Sequence, residues 1–325
     1  MEEWDPVVVK MLSIFMPTAF EGRASIKRHS RFVHYTTAAN LFRILDRQQV
    51  WFRNARCMND DGDTEYAAAK VQEWLNDSGR TAQLAQTLEF CMPGIWQDGV
   101  KKFELWLPRL RNETYVLSVA EHDLEEHSTG RLSLWRAFDD EEVAVAAVVN
   151  VAPFIQMTDA LQAYPGPVTY WTNKQFDDEF KLVAHRVASN RDFLAKLSKG
   201  ALTEVVFLML LFAVTCWKHP GLRDEREWRV LTNPLLWPSK RLFKTHEVID
   251  RIPQPVYALP LKNDPGNHLT GIELPELIDR IIIGPTDQAG PIRDAIIAKL
   301  AEIGVNDPDS KVVASGLPLR TSKMG

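Results

Sequence analysis

The side chains best suited to chemistry on a sugar ring stand at a predicted strand-to-helix junction. His34, Tyr35 and Thr36 end a strand-like run, and Thr36 or Thr37 can cap the helix that follows. An imidazole and a hydroxyl at that position can hydrogen-bond to a sugar hydroxyl. The alternative interpretation is structural, with Thr36 only capping the helix and His34 only satisfying a backbone carbonyl.

A second candidate group lies around the predicted strand 227–231. On a strand, Glu225, Glu227 and Arg229 would share one face. A carboxylate such as that of Glu227, placed near a sheet edge, can polarise a sugar hydroxyl or stabilise a developing oxocarbenium cation. The alternative is a cross-strand Glu–Arg pair on a solvated face.

Two aromatic side chains, Trp135 and Phe138, lie three residues apart on a predicted short helix at 131–138. Residues at this spacing share a helix face, so both rings could stack on a flat ligand. They could equally belong to the core, where large aromatic side chains bury most of their surface.

Four carboxylates, those of Asp60, Asp61, Asp63 and Glu65, are close together in and after a predicted loop. Such a group could bind a hard cation and would then indicate a metal-dependent nuclease. The spacing does not match an EF-hand loop, and these residue types also stabilise turns and helix caps. We favour the turn-and-cap interpretation and expect no metal.

Several classes of protein are disfavoured by what the sequence lacks. It contains none of the motifs G-x-G-x-x-G, G-x-x-x-x-G-K-[ST], H-E-x-x-H and G-x-S-x-G. The net charge of −5 argues against a protein that coats nucleic acid. The most apolar run, 205–217, is too short to span a membrane and predicts a buried core helix. Three scattered cysteines and an N-terminus without a signal-peptide pattern predict a cytoplasmic protein with no membrane association.

The predicted strands are interrupted by two helical blocks, near 64–112 and 176–218. Beyond the first strand, further strands are expected at 50–54, 114–121, 143–150, 167–171, 227–231, 256–261, 280–284 and 311–315. This order is typical of an α+β fold with a mixed central β-sheet rather than of a regular βαβ array. We predict one elaborated domain over 1–325, with an N-terminal helical arm at about 1–30.

The order of several short segments is characteristic as a set. In chain order they read HYT–NL–IL, VWF, NDD–E, LSLWRAF, CWKHP–DEREWRV, RIIIGP and VVASGLPLR. From about residue 32 to 320 this order resembles the bacterial protein family DUF2971. The sequence departs from the family's usual pattern where Asp61 replaces a proline and Phe138 replaces a tyrosine.

The first of these segments also resembles the opening of ADP-ribosyltransferases, including those that modify nucleic acid. The resemblance is carried by His34 and Thr36 together with Asn40-Leu41 and Ile44-Leu45. It implies an ADP-ribosyltransferase-like central sheet with helical insertions. It also implies NAD as a substrate.

The resemblance implies roles for particular side chains. Glu227 would be the catalytic acid that supports an oxocarbenium-like transition state, and His34 would bind the nicotinamide ribose. The residues expected to contact NAD are His34, Tyr35, Thr36, Arg53, Trp135 and Phe138. Either Arg53 or Arg56 would contact the pyrophosphate, although neither matches a motif of the family.

The sequence therefore predicts an NAD-dependent, ADP-ribosyltransferase-like enzyme, such as a toxin or an antiphage effector. It would release nicotinamide and transfer ADP-ribose to a nucleic acid or protein acceptor, or hydrolyse NAD. One alternative is a non-catalytic module that binds a nucleotide or a protein, and another is the metal-dependent nuclease. The transferase hypothesis gains support if His34 and Glu227 line one cleft, and loses it if they lie on opposite sides.

Overall fold

Ten strands form one mixed, open sheet in the α+β structure of this chain. The structure is a computed structural model that describes residues 5–27, 29–57, 61–138, 142–156, 158–249 and 252–318, without the side chains of 61–63 and 111. The strands are β1 (Arg31–Thr37), β2 (Gln49–Asn54), β3 (Tyr115–His122), β4 (Ala144–Asn150), β5 (Tyr164–Pro167), β6 (Glu227–Thr232), β7 (Phe243–Ile249), β8 (Ile252–Pro260), β9 (Ile278–Ile283) and β10 (Val312–Ala314).

The described residues also form fourteen α-helices and four short 3₁₀ segments. The α-helices are α1 (Pro6–Phe15), α2 (Pro17–Ser25), α3 (Ala38–Arg47), α4 (Asp61–Asn76), α5 (Ser78–Cys91), α6 (Ile95–Glu113), α7 (Leu132–Trp135), α8 (Ala152–Ile155), α9 (Asn173–Ser189), α10 (Arg191–Leu194), α11 (Lys199–Thr215), α12 (Leu274–Leu277), α13 (Ala289–Glu302) and α14 (Pro308–Lys311). The 3₁₀ segments are Ala55–Cys57, Leu124–Glu126, Pro220–Glu225 and Pro265–Asn267.

The sheet has a main path and one branch. The main path runs β10-β9-β4-β1-β3-β2-β8-β7, and β6 pairs with β3 and carries β5 on its other edge. All of these pairs are antiparallel except β9 with β10, which is parallel. Strand β4 therefore lies inside the sheet, between β1 and β9.

Strand β3 shares one of its edges between two other strands. Strand β6 pairs with β3 from Tyr115 to Ala120, so β1 and β2 must use the opposite edge. On that edge β1 pairs with residues 120–122 and β2 pairs with residues 115–116. Residues 117–119 pair with neither strand there. We call this gap in the pairing, between β1 and β2, the notch.

The helix after β1 begins where the sequence predicts it. The Thr37 hydroxyl accepts a hydrogen bond from the backbone N–H of Asn40 at 3.2 Å, so Thr37 rather than Thr36 is the cap. Leu41, Ile44 and Leu45 are buried. This face of α3 packs into the sheet core and fixes the end of β1 next to the notch.

The described residues form two large hydrophobic cores and two smaller clusters. The first lies against the sheet and includes Phe32, Phe52 and Trp228. The second lies between helices and includes Trp74, Phe176 and Trp217. Helix α11 is apolar on all sides and is buried along most of its length, which confirms the predicted core helix in this region. None of the described helices combines the length and the apolar character needed to cross a membrane.

Candidate functional site

His34 has one ring nitrogen fixed by the backbone and the other left open. Its Nδ1 lies 2.9 Å from the carbonyl oxygen of Ser118, which belongs to the notch. A carbonyl can only accept a hydrogen bond, so Nδ1 carries the proton and Nε2 of the neutral ring is an acceptor. In the described part of the chain, Nε2 has no hydrogen-bond partner.

The electrostatic surroundings keep the His34 ring neutral. Burial lowers its pKa from the ordinary value of 6.5, the Ser118 carbonyl opposes this shift, and the charge of Arg53 adds to it. The imidazole is therefore uncharged at neutral pH. A neutral ring in the Nδ1–H tautomer offers Nε2 as a hydrogen-bond acceptor or a base.

His34 faces a cavity of about 590 Å³ in the sheet core. Most of the lining is apolar, and it includes Leu41, Phe52, Val119 and Val149. Helices α1 and α2, the predicted N-terminal arm, form one side of the cavity. The ionisable residues among the described lining are Asp5, Arg23, His34, Asp159 and Tyr164.

The polar side chains away from His34 are held by neighbouring groups. The Arg23 guanidinium donates from Nη2 to the carbonyl oxygen of Gln156 at 3.4 Å. The Tyr164 hydroxyl lies 3.2 Å from the carboxylate of Asp159. Burial, together with that carboxylate, raises the pKa of Tyr164, so its hydroxyl stays protonated. The cavity therefore combines a large apolar volume with a few fixed polar groups, which is the usual character of a small-molecule site.

Glu227 belongs to a buried network of charges. Its carboxylate accepts hydrogen bonds from Ser118 Oγ at 2.5 Å and from Arg229 Nε at 2.9 Å. Lys218 Nζ, which is fully buried, lies 3.2 Å from the same carboxylate and 2.7 Å from that of Glu225. Burial alone would raise the pKa of Glu227, but Arg229 and Lys218 outweigh it and bring the pKa to about 2.

This network differs from the solvated cross-strand pair that was the structural interpretation of Glu227. The Glu–Arg pair is present, but it joins residues 227 and 229 of one strand and is buried rather than solvated. Three donors already occupy the carboxylate, so it is bound as an internal counterion to two cations. Its arrangement suits holding β3, β6 and the end of α11 together, since Arg229 Nη1 also donates to the carbonyl oxygen of Thr215 at 2.8 Å.

His34 and Glu227 lie on opposite faces of the sheet. Glu227 is paired with Ala120, and Arg229 with Ser118, so these four side chains share one face. His34 lines the cavity on the other face together with Leu117, Val119 and Val230. Ser118 joins the two residues, since its carbonyl accepts from His34 and its hydroxyl donates to Glu227.

Tyr35, Trp135 and Phe138 form a packed cluster away from the cavity. Tyr35 and Trp135 are in edge-to-face contact with ring centroids 4.7 Å apart. The Trp135 Nε1 donates to the carbonyl oxygen of Thr129 at 2.8 Å, and the Tyr35 hydroxyl accepts from the backbone N–H of Arg131 at 2.6 Å. Phe138 packs against the same cluster. The geometry matches the core interpretation of these aromatic side chains.

Thr36 and Arg53 are the remaining residues expected to contact NAD, and both contact other parts of the protein. Thr36 is buried on β1 opposite Val145. Arg53 donates to the side chain of Gln254 at 3.2 Å and to the carbonyl oxygen of Cys57 at 2.5 Å. Neither residue is part of the cavity lining.

The acidic segment is only partly covered. Asp60 and the side chains of Asp61 and Asp63 lie outside the described residues, and Glu65 is exposed. In the ranges that are described, no three His, Cys, Asp or Glu side chains are grouped as metal ligands would be. His122 and His127, which the sequence also brings close, contact each other at 3.3 Å between Nε2 and Nδ1.

The contribution of the N-terminal helices α1 and α2 to the cavity was not predicted from the sequence. Ala19, Phe20 and Arg23 of α2 line the cavity, and their spacing places them on one helix face. That spacing could have indicated a shared helix face. The local sequence pattern does not show that this face packs near a strand more than ten residues further along the chain. Comparisons with protein-family models, with curated proteins and with solved structures found no match.

Proposed function

We propose that this protein binds a small, largely apolar molecule in the cavity beside His34. The observation that carries the proposal is a cavity of about 590 Å³, lined mainly by aliphatic and aromatic side chains, whose lining includes the neutral imidazole of His34 with one ring nitrogen bound to Ser118. Its volume is within the range of roughly 300–1,000 Å³ found for ligand pockets. This makes the chain a binding module whose ligand is apolar.

The chemistry of the lining favours an apolar ligand over water. An ordered water needs two to four polar partners, and most of the lining residues are apolar. Burial of apolar ligand surface against such a lining is favourable.

The test uses the neutral fluorescent probe N-phenyl-1-naphthylamine. We expect saturable binding of one molecule per chain by the unmodified protein. Ala147, which is paired with His34 and lines the cavity, gives the blocking variant Ala147→Phe, in which the new ring occupies the cavity. We expect its affinity to fall at least about tenfold, as the loss of apolar contacts worth more than 1.4 kcal/mol requires.

The matched control places the same ring on the surface. Ala301, near the end of α13, is exposed, and Ala301→Phe should bind the probe as the unmodified protein does. Absence of saturable binding, or equal binding by Ala147→Phe, would contradict the proposal.

The second candidate function is ADP-ribosyl transfer from NAD on an ADP-ribosyltransferase-like fold. Two observations support it: His34 lies at the notch, and Ser118 joins it to Glu227 by hydrogen bonds. It ranks second because the two side chains lie on opposite faces and because the carboxylates of Asp5 and Asp159 line the cavity. A pyrophosphate with two negative charges is disfavoured there.

Nicotinamide release tests this second candidate. The protein is incubated with NAD alone and with DNA, RNA or cell extract, which supply acceptors. Under transferase chemistry we expect turnover that His34→Ala and Glu227→Gln abolish. No release of nicotinamide would remove the candidate, and turnover that survives both substitutions would place the site elsewhere.

A further inference from the structure

The fixed tautomer of His34 restricts which ligands the cavity can take. Because Nδ1–H is committed to the Ser118 carbonyl at 2.9 Å, the ring can only accept a hydrogen bond at Nε2. A ligand must therefore bring a donor to this nitrogen, or leave it unpaired in apolar surroundings, which is unfavourable. A ketone, an ether or an ester offers only acceptor oxygens, whose lone pairs would repel the lone pair of Nε2.

The charges around the cavity exclude most charged donors and acceptors. Asp5, Arg23 and Asp159 line it, and Arg53 acts on His34 from outside the lining. A ligand carboxylate would meet two carboxylates and one guanidinium there, and at His34 it would again offer only acceptor oxygens. An ammonium group would have to leave water for a mostly apolar lining.

From this geometry, and resting on the proposed function, we infer that the ligand is an uncharged apolar alcohol or phenol. Its hydroxyl donates to Nε2 of His34, and its hydrocarbon part fills the space between the sheet and helices α1 to α3. Leu41, Ile44 and Leu45 of α3 line that space together with Leu12 of α1 and Phe20 of α2. The hydroxyl gives orientation, and the hydrocarbon gives most of the affinity.

The test compares matched ligands that differ only at the head group. 1-Octanol, its methyl ether and octanoate are titrated into the unmodified protein by calorimetry at pH 7.5. We expect 1-octanol to bind roughly tenfold to hundredfold more tightly than the ether, which is what one buried hydrogen bond and an unsatisfied acceptor amount to. We expect octanoate to bind more weakly than 1-octanol.

Two variants of His34 locate the preference on Nε2. In His34→Phe the acceptor is gone, so 1-octanol and the ether should bind equally. In His34→Gln the side-chain amide can still accept, so part of the preference should return. This second variant also separates the loss of the acceptor from a failure to fold.

The outcomes distinguish the inference from the proposed function. If 1-octanol and the ether bind equally to the unmodified protein, or octanoate binds best, the inference is wrong and the binding function stands. A preference for 1-octanol that survives in His34→Phe would also overturn it, since the donor would then meet another group. If none of the three ligands binds while the fluorescent probe does, the inference fails and the binding function stands; if the probe also fails to bind, both fail.

Discussion

Whether the space beside His34 is open can be tested with the substitution Ala147→Phe, by measuring whether the unfolding free energy rises or falls. Phenylalanine at this position would project into the cavity on the face that carries His34. If the space is open, the ring is buried without displacing its neighbours. Burial of a side chain of this size contributes about 2 kcal/mol, so the unfolding free energy should rise by about that amount.

The adjacent residue provides the opposite expectation. Ala146 is fully buried on the other face of β4 and packs in the cluster that contains Trp135. There the same substitution must push neighbours aside, and overpacking of this kind costs about 1–3 kcal/mol. Ala146→Phe should therefore lower the unfolding free energy.

The measurement is equilibrium unfolding in urea, made on protein stripped of bound small molecules. The linear dependence of the free energy on urea concentration gives the two changes directly. We expect Ala147→Phe to raise the unfolding free energy and Ala146→Phe to lower it. If both variants lose stability by similar amounts, the space beside His34 is packed and the reasoning about the cavity is refuted.

Four further results are expected. Glu227→Gln should lower the unfolding free energy by about 3–5 kcal/mol in urea unfolding, because it removes the carboxylate charge that pairs with buried Arg229 and leaves buried Lys218 with one fewer negative neighbour beside Glu225. The pKa of Glu227 is about 2 in the folded protein, against an ordinary value of 4.5. Its contribution to stability is therefore complete above pH 4.5 and is lost as the pH falls towards 2. Urea unfolding at a series of pH values should show this loss in the unmodified protein and not in Glu227→Gln. Because burial lowers the pKa of His34, the affinity for 1-octanol should be constant above pH 6.5 and fall only at more acid pH, where protonated Nε2 becomes a donor. A decrease in affinity above pH 6.5, measured by calorimetry, would contradict this expectation. Trp135→Phe removes one hydrogen bond and should cost about 1 kcal/mol of stability with unchanged probe binding, whereas loss of binding would place this ring in the site.

Local sequence signals predicted the elements around the notch well. The hydroxyl cap at Thr37 and the spacing of Leu41, Ile44 and Leu45 define α3, and the structure shows both. Strand β6 occurs at the predicted place, and Trp228 faces away from Glu227 into the sheet core. These features depend on neighbours within a few residues, which is why the sequence shows them.

One predicted strand was wrong and one strand was not predicted. The strand expected at 167–171 is replaced by β5, which ends at Pro167, and Thr169 makes an isolated bridge to Trp217. Strand β7 was not predicted. The helical block expected near 176–218 consists of α9, α10 and α11, and Ser198 caps the last of these.

The arrangement of the candidate site depends on contacts that no local pattern records. The alternation of residues along β1 and along β6 shows which residues of each strand share a face. It does not show which face of β1 lies on the same side of the sheet as a given face of β6. The register of Ser118 with Arg229 settles that relation and separates His34 from Glu227. The cavity depends on still more distant contacts, since its lining extends from Asp5 to Ile278.

The most direct test of the central claim is a crystal structure of the protein soaked with 8-bromo-1-octanol. The bromine gives an anomalous signal that locates the apolar end of the ligand without interpretation of weak density. We expect a bromine peak among the apolar residues of the cavity and a hydroxyl oxygen about 2.8 Å from Nε2 of His34. A cavity filled by protein side chains, or bromine bound only outside it, would contradict the account.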